Sequence, residues 1–258
     1  MLYWLLYVKL FHYFPPFRIF RYLTFRTAFA SLTALFTGLI IGPLVIERLR
    51  EFQIGQFIRE EGPKAHQKKA GTPTMGGVLI AISIIVPTLL WADLENRFAW
   101  MAVVSTAAFA AIGFTDDYAK VIHKRNLGLT ARAKFGLQVL TSVLIAVALI
   151  AMQNRGLYST RMVVPFLKQF HPDLVVDRLL HNPALWPIAF LPFIAFVILI
   201  IVGASNAVNL TDGLDGLAIG CTVIAAGALT VLTYVSGHAT LSTYLELPRM
   251  PQVGELTI

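Results

Sequence analysis

Phe190-Leu-Pro-Phe-Ile-Ala-Phe-Val-Ile-Leu-Ile-Ile-Val-Gly-Ala-Ser-Asn-Ala-Val-Asn-Leu-Thr-Asp-Gly-Leu-Asp-Gly216 decides the class of this chain. Neither Asp, Glu, Lys nor Arg occurs from Leu179 to Thr211, and then two aspartates stand at Asp212 and Asp215. A helix needs ~20 apolar residues to cross ~30 Å of hydrocarbon, and this run is long enough. Carboxylates at the mouth of such a span are costly to keep beside a low-dielectric medium, so they mark a site by default. Asn206, Asn209, Asp212, Gly213 and Asp215 therefore read as metal ligands and polar contacts for a charged substrate, with Gly203, Gly213 and Gly216 as possible turn points. The plainer use of the same residues is a loop with helix-capping aspartates. Polar clusters at two other membrane mouths favour the first reading.

The same reasoning extends along the chain. Of its 258 residues 57% are hydrophobic and 14% charged, with a mean hydropathy of +0.69. Charge-free windows lie at 27–46, 70–92, 98–115, 135–154, 179–211 and 216–245. Backbone groups in lipid must be satisfied internally, which leaves helices or closed barrels, and the windows lack the alternation of barrel strands. The expectation is an all-α polytopic membrane protein forming one domain over 1–258. Six transmembrane helices are predicted, near 24–46, 73–92, 98–115, 133–152, 185–205 and 214–236.

Residues 3–22 carry nine aromatic side chains, among them Tyr3, Trp4 and Tyr22, with scattered basic residues. That composition predicts an interfacial segment at the aromatic belt, and it lacks the basic start and small-residue cleavage site of a signal peptide. The segment 153–184, with Pro165, Pro172 and Pro183, reads as a surface loop whose Val163-Val164 and Val175-Val176 pairs suit a short hairpin. The net charge of +7 resides in short loops between spans, pointing to membrane lipid and an acidic substrate and away from nucleic acid. The single cysteine, Cys221, excludes a disulfide framework and a paired-cysteine metal site.

With six helices, the loops 47–72, 116–132 and 206–213 share one face. The first two are dense in Lys and Arg, which predicts that this face is cytoplasmic. Lys64, His66, Lys68 and Lys69 precede Thr72-Pro73-Thr74 at the second span, and lysines beside a helix N-terminus suit a phosphate or diphosphate. Phe114-Thr-Asp-Asp-Tyr118 closes the third span. Adjacent helical residues point about 100° apart, so Asp116 and Asp117 should differ in role. Their mutual repulsion calls for a Mg²⁺ ion or a nearby lysine. At a helix C-terminus they also oppose the macrodipole. Asp212 and Asp215 would share a face if the sixth helix begins there. Carboxylates, lysines, asparagines and glycines at one surface are the parts that phosphoryl transfer requires. A transporter would instead carry charge near mid-span, and these mid-spans are empty.

Gly71-Thr-Pro-Thr-Met-Gly-Gly77, Phe114-Thr-Asp-Asp-Tyr118 and Asn206-Ala-Val-Asn-Leu-Thr-Asp-Gly-Leu-Asp-Gly-Leu-Ala218 closely resemble the phospho-N-acetylmuramoyl-pentapeptide-transferase family. The likeness extends from Tyr22 to Leu256. It implies transfer of phospho-N-acetylmuramoyl-pentapeptide from UDP-MurNAc-pentapeptide to undecaprenyl phosphate, with Mg²⁺, giving lipid I and UMP for peptidoglycan in the bacterial inner membrane. By that resemblance Asp116 deprotonates or orients the lipid phosphate, and Asp117 assists at the metal and phosphates. Asn206, Asn209, Asp212, Gly213 and Asp215 contact the nucleotide-sugar, with Asp215 close to the uracil, while Lys69 and Thr74 line the nucleotide pocket. Asp117 and Asp212 are the implied metal ligands, and a homodimer is the implied assembly. The family continues through further spans carrying a Phe-x-Gly-Asp loop and a His-rich loop. The six histidines here (His12, His66, His123, His171, His181 and His238) form no such run. The chain is thus expected to be a truncated product or fragment. Alternatives are a related polyprenyl-phosphate N-acetylhexosamine-1-phosphate transferase and an inactive remnant of the family.

Overall fold

The charge-free windows become helices. A computed structural model describes residues 1–51, 75–123, 128–164, 167, 170–214 and 216–258. Its principal helices are α1 (Leu23–Glu51), α2 (Gly77–Trp91), α3 (Arg97–His123), α4 (Ala131–Gln153), α5 (Trp186–Thr211) and α6 (Leu217–Gly237), with the short α7 (Ala239–Tyr244) after them. Large apolar side chains such as Leu39, Ile40, Leu199 and Ile224 point outward, the arrangement expected where the surrounding solvent is hydrocarbon. Threonine hydroxyls within the spans bond to the carbonyl four residues earlier, as Thr33 does to Phe29 and Thr37 to Thr33, both at 2.7 Å.

The expected count of six spans is corrected in one place. Among the described residues five helices are long and apolar enough to cross a bilayer, namely α1 and α3–α6. The described helix of the second expected span, α2, has 15 residues. At 1.5 Å per residue it covers about 22 Å, short of ~30 Å of hydrocarbon. It starts at Gly77 because Met75 adopts a positive φ of 72°, a conformation that cannot propagate a right-handed helix. The rest of that expected span lies outside the described residues.

Two compact units divide the chain, Met1–Leu137 with Ile258, and Gln138–Thr257. In the first, α1 packs on α2 and α2 on α3. The N-terminal residues form a π-helical segment, Trp4–Leu10, and a 3-10 segment, Pro15–Arg21. Phe20 stacks on Trp91 at 5.6 Å, and the Trp91 indole N–H donates to Thr33 Oγ1 at 2.9 Å. Arg26, buried near the start of α1, donates to the Trp91 carbonyl at 3.2 Å and lies over the Tyr3 ring at 4.2 Å. A cation so placed needs such partners to stay out of water.

In the second unit Ala146 of α4 and Phe193 and Val197 of α5 form a core with Val175 of the intervening segment. Among the described residues the expected hairpin there reduces to a single antiparallel bridge between Arg161 and Asp173. Pro172 has no N–H to continue a ladder, and Asp173 commits its Oδ1 to Thr160 Oγ1 and to the Val175 amide. A cavity of about 290 Å³ opens beside this segment, lined by Tyr158, Arg161, Phe193 and Val197 among others. Burial pushes the Tyr158 phenol up from its ordinary pKa. None of the sequence-predicted site residues lines this cavity.

Candidate active site

α3 does not stop at the expected membrane edge but continues to His123. Asp116 and Asp117 therefore sit on helical backbone, two turns from its end. The helix places Lys120 at i+4 from the first and i+3 from the second, where one side chain can reach both. Its Nζ lies 2.8 Å from Asp116 Oδ2 and 2.8 Å from Asp117 Oδ1. The lysine allowed for as an alternative to a metal ion thus relieves the repulsion between the two carboxylates.

Their environments differ as the helical geometry requires. Asp116 is 8% exposed, and its Oδ1 accepts the backbone N–H of Leu129 at 2.9 Å. Lys134 Nζ approaches its Oδ2 at 3.9 Å. Asp117 is half-buried, with Lys120 as its ion-pair partner. Thr130 organises the turn that brings Leu129 and Lys134 in. Its Oγ1 accepts from Ala133 and its carbonyl from Lys134, so it caps α4 and sets Lys134 in the first turn. Gly128 meets the acid so closely that a Cβ there would lie 2.5 Å from Asp116 Oδ1 and 2.8 Å from its Cγ, and closer still to its main-chain carbonyl oxygen. Gly128, Leu129 and Lys134 escaped the sequence reading. The Thr-capped start of the fourth span was the available signal for them.

The second unit holds Asn206, Asn209, Asp212 and Gly213. Asn206 and Asn209 lie in the last turns of α5, and Asp212 ends that helix with ψ 47°. α6 begins only at Leu217, after Gly216 at φ 83°. The sixth helix, expected from about 214, thus begins at Leu217, and Asp212 does not lie on it. Gly216 takes a left-handed conformation that breaks the chain between the two helices. Gly203 is no turn point but lies inside α5. The side chains of Asn209 and Asp212, like Gly213, are exposed. Asn206 is occupied. It donates to Gln138 Oε1 at 2.9 Å and to the Val202 carbonyl at 2.8 Å. Lys69, Thr74 and Asp215 lie outside the described residues.

Among the described residues no group of three or more His, Cys, Asp or Glu side chains could enclose a metal ion. Asp116 and Asp117 offer hard oxygen donors, with Lys120 between them. Mg²⁺ commonly takes one or two carboxylates and completes its octahedron with water and substrate phosphates. Here Lys120 and the Leu129 N–H already engage both oxygens of Asp116 and one of Asp117, so Asp117 is the carboxylate with an oxygen left for such an ion, and Asp212, the other implied ligand, is exposed at the end of α5.

A membrane helix carrying a lysine-bridged acid pair two turns before its end defines a class suited to phosphate chemistry, and comparison narrows it. Residues 99–248 match the model of glycosyl transferase family 4, and residues 69–80 match phospho-N-acetylmuramoyl-pentapeptide-transferase signature 1. Proteins named phospho-N-acetylmuramoyl-pentapeptide-transferase are similar over the whole chain. The one from Koribacter versatilis is 72% identical, and the chain covers 69% of its length. Those from Acidobacterium capsulatum and Solibacter usitatus are 70% and 58% identical, each covered over 68% of its length. The chain is a multi-pass membrane protein of glycosyl transferase family 4, and within it belongs to the phospho-N-acetylmuramoyl-pentapeptide-transferase family.

Proposed function

We propose that this chain transfers phospho-N-acetylmuramoyl-pentapeptide from its UDP carrier to undecaprenyl phosphate, forming lipid I and UMP. A phosphate oxygen of the lipid attacks the phosphorus next to the sugar. The bridge of the carrier's diphosphate breaks, and UMP leaves with the bridging oxygen. The observation that carries this reading is the Asp116–Asp117–Lys120 cluster in a member of this family.

Phosphate monoesters lose their second proton near pH ~6, so a lipid phosphate needs little deprotonation at neutral pH. Asp116, fixed by Leu129 N–H and flanked by Lys120 and Lys134, suits an orienting role. It holds two ammonium groups where they can meet a phosphate. Asp117, the more accessible carboxylate, is the residue that would hold Mg²⁺ together with substrate phosphates. When bound, the ion supplies charge neutralisation of the diphosphate. The nucleotide-sugar contacts that the resemblance implies are Asn209, Asp212 and Gly213, exposed at the end of α5, together with Lys69, Thr74 and Asp215. The lysine- and arginine-rich loops support a cytoplasmic orientation of this face in a bacterial inner membrane.

The test is UMP release by the purified chain in detergent, supplied with UDP-N-acetylmuramoyl-pentapeptide, undecaprenyl phosphate and Mg²⁺. Release should require all three, and Asp117→Asn should lower it by about 10²-fold or more, the usual scale for losing a transition-state electrostatic partner. Release that persists without lipid phosphate, or an Asp117→Asn variant at the wild-type rate, would refute the assignment.

A further inference from the structure

A carboxamide buried in a membrane span must find partners within the protein. Gln138, 2% exposed on α4, finds them on α5. Its Nε2 donates to Ser205 Oγ at 3.1 Å, and its Oε1 accepts from Asn206 Nδ2 at 2.9 Å. One amide therefore grips two consecutive residues of the neighbouring helix. Asn206 makes the grip directional by also donating to Val202 at 2.8 Å, which aligns its side chain along α5. One turn further along α4, fully buried Ser142 donates to the main-chain carbonyl of Gln138 at 2.8 Å. The network thus has a firm base on α4 and a clamp on the second-last turn of α5. Asn209, Asp212 and Gly213 lie immediately beyond that clamp.

We propose that Gln138 is a positioning residue for the end of α5, acting through Ser205 and Asn206. Asn206 is then part of the clamp, and its amide hydrogens are not available to substrate. The inference rests on the proposed contact of Asn209 and Asp212 with the nucleotide-sugar. Helix ends fray unless something holds them. Asn209 and Asp212 lie three and six residues beyond Asn206, so loosening α5 at Asn206 shifts both. An asparagine whose two amide hydrogens both reach protein acceptors has none left to donate to a ligand.

The test combines amide hydrogen exchange over 207–213 with equilibrium binding of UDP-N-acetylmuramoyl-pentapeptide, both on the purified chain. Gln138→Met keeps length and removes both hydrogen-bonding ends. Ser205→Ala removes one acceptor and guards against a misfolded first variant. Gln138→Met should speed exchange over 207–213 about tenfold and weaken nucleotide-sugar binding about tenfold, with Ser205→Ala between it and wild type. Asn209→Ala should weaken binding at wild-type exchange rates.

Wild-type exchange in both clamp variants overturns the proposal. So does faster exchange with unchanged affinity where Asn209→Ala has lost affinity, since the clamp would then be merely structural. If Asn209→Ala binds normally while the clamp variants exchange faster, the clamp stands and the substrate reading fails. If Gln138→Met does not fold, Ser205→Ala decides by the same two readouts.

Discussion

Gly128→Ala is the sharpest perturbation available at the acid pair, because one added methyl group meets a fixed atom. The new Cβ would fall 2.5 Å from Asp116 Oδ1 and 2.8 Å from Cγ. A side-chain oxygen can swing away, but the main-chain carbonyl of Asp116, which the Cβ also meets, belongs to α3 and cannot. The 128–130 turn must therefore retreat. The first casualty is the 2.9 Å bond from Leu129 N–H to Asp116 Oδ1. Hydrogen bonds to charged groups contribute about 1.5–3 kcal/mol. For a chain of this size each kcal/mol moves Tm by about 2–4 °C, so a fall of about 3–12 °C is expected. Because the same turn delivers Lys134, UMP release should fall about tenfold, worth about 1.4 kcal/mol in the barrier. Gly136→Ala is the control. Nothing lies within 4 Å of a Cβ at that position on α4, and replacing a helical glycine gains up to about 1 kcal/mol. Differential scanning fluorimetry in detergent and the UMP assay would read both variants. A Gly128→Ala protein with the Tm and turnover of wild type would show that the turn does not press on Asp116.

Two further outcomes are expected. Arg26→Leu removes the 3.2 Å bond to the Trp91 carbonyl and the 4.2 Å stack on Tyr3, and should cost about 2–5 kcal/mol. Limited proteolysis should then cut faster after Arg18 and Arg21, and unchanged cleavage would contradict the clamp on the N-terminal segment. Gly216→Ala forces a side chain into the left-handed region at φ 83°, which costs about 1–2 kcal/mol. Its Tm should drop by several degrees while that of Gly213→Ala, whose Cβ meets nothing within 4 Å, stays put. Equal values for the two would deny the strained turn.

What the sequence made legible and what it hid separate along a physical line. Absence of charge over 20 residues dictates a membrane helix whatever packs beside it, so α1 and α3–α6 could be read from windows alone. The acid pair was legible for a related reason, since two carboxylates beside hydrocarbon are too costly to keep without a partner on hand. The start of α2 was not legible, because it depends on the positive φ of Met75, a backbone state that no residue type announces. The condition set on Asp212 and Asp215 failed for a similar cause: their spacing matches a helix face, but α6 begins only at Leu217, after the left-handed Gly216.

Gln138 shows the deeper limit. In the sequence it is one of a few polar residues, with Thr141 and Ser142, inside a largely apolar span, and nothing there says that its partners are 67 and 68 residues away. Asn206 stood in a conspicuous polar motif and so was read as a ligand, while its amide hydrogens are engaged inside the protein. A polar residue near a membrane mouth can serve a substrate or another helix, and composition is the same in both cases. Only the geometry of its donors and acceptors separates the two, which is why opposite roles are proposed for Asn206 and Asn209, three residues apart on one helix.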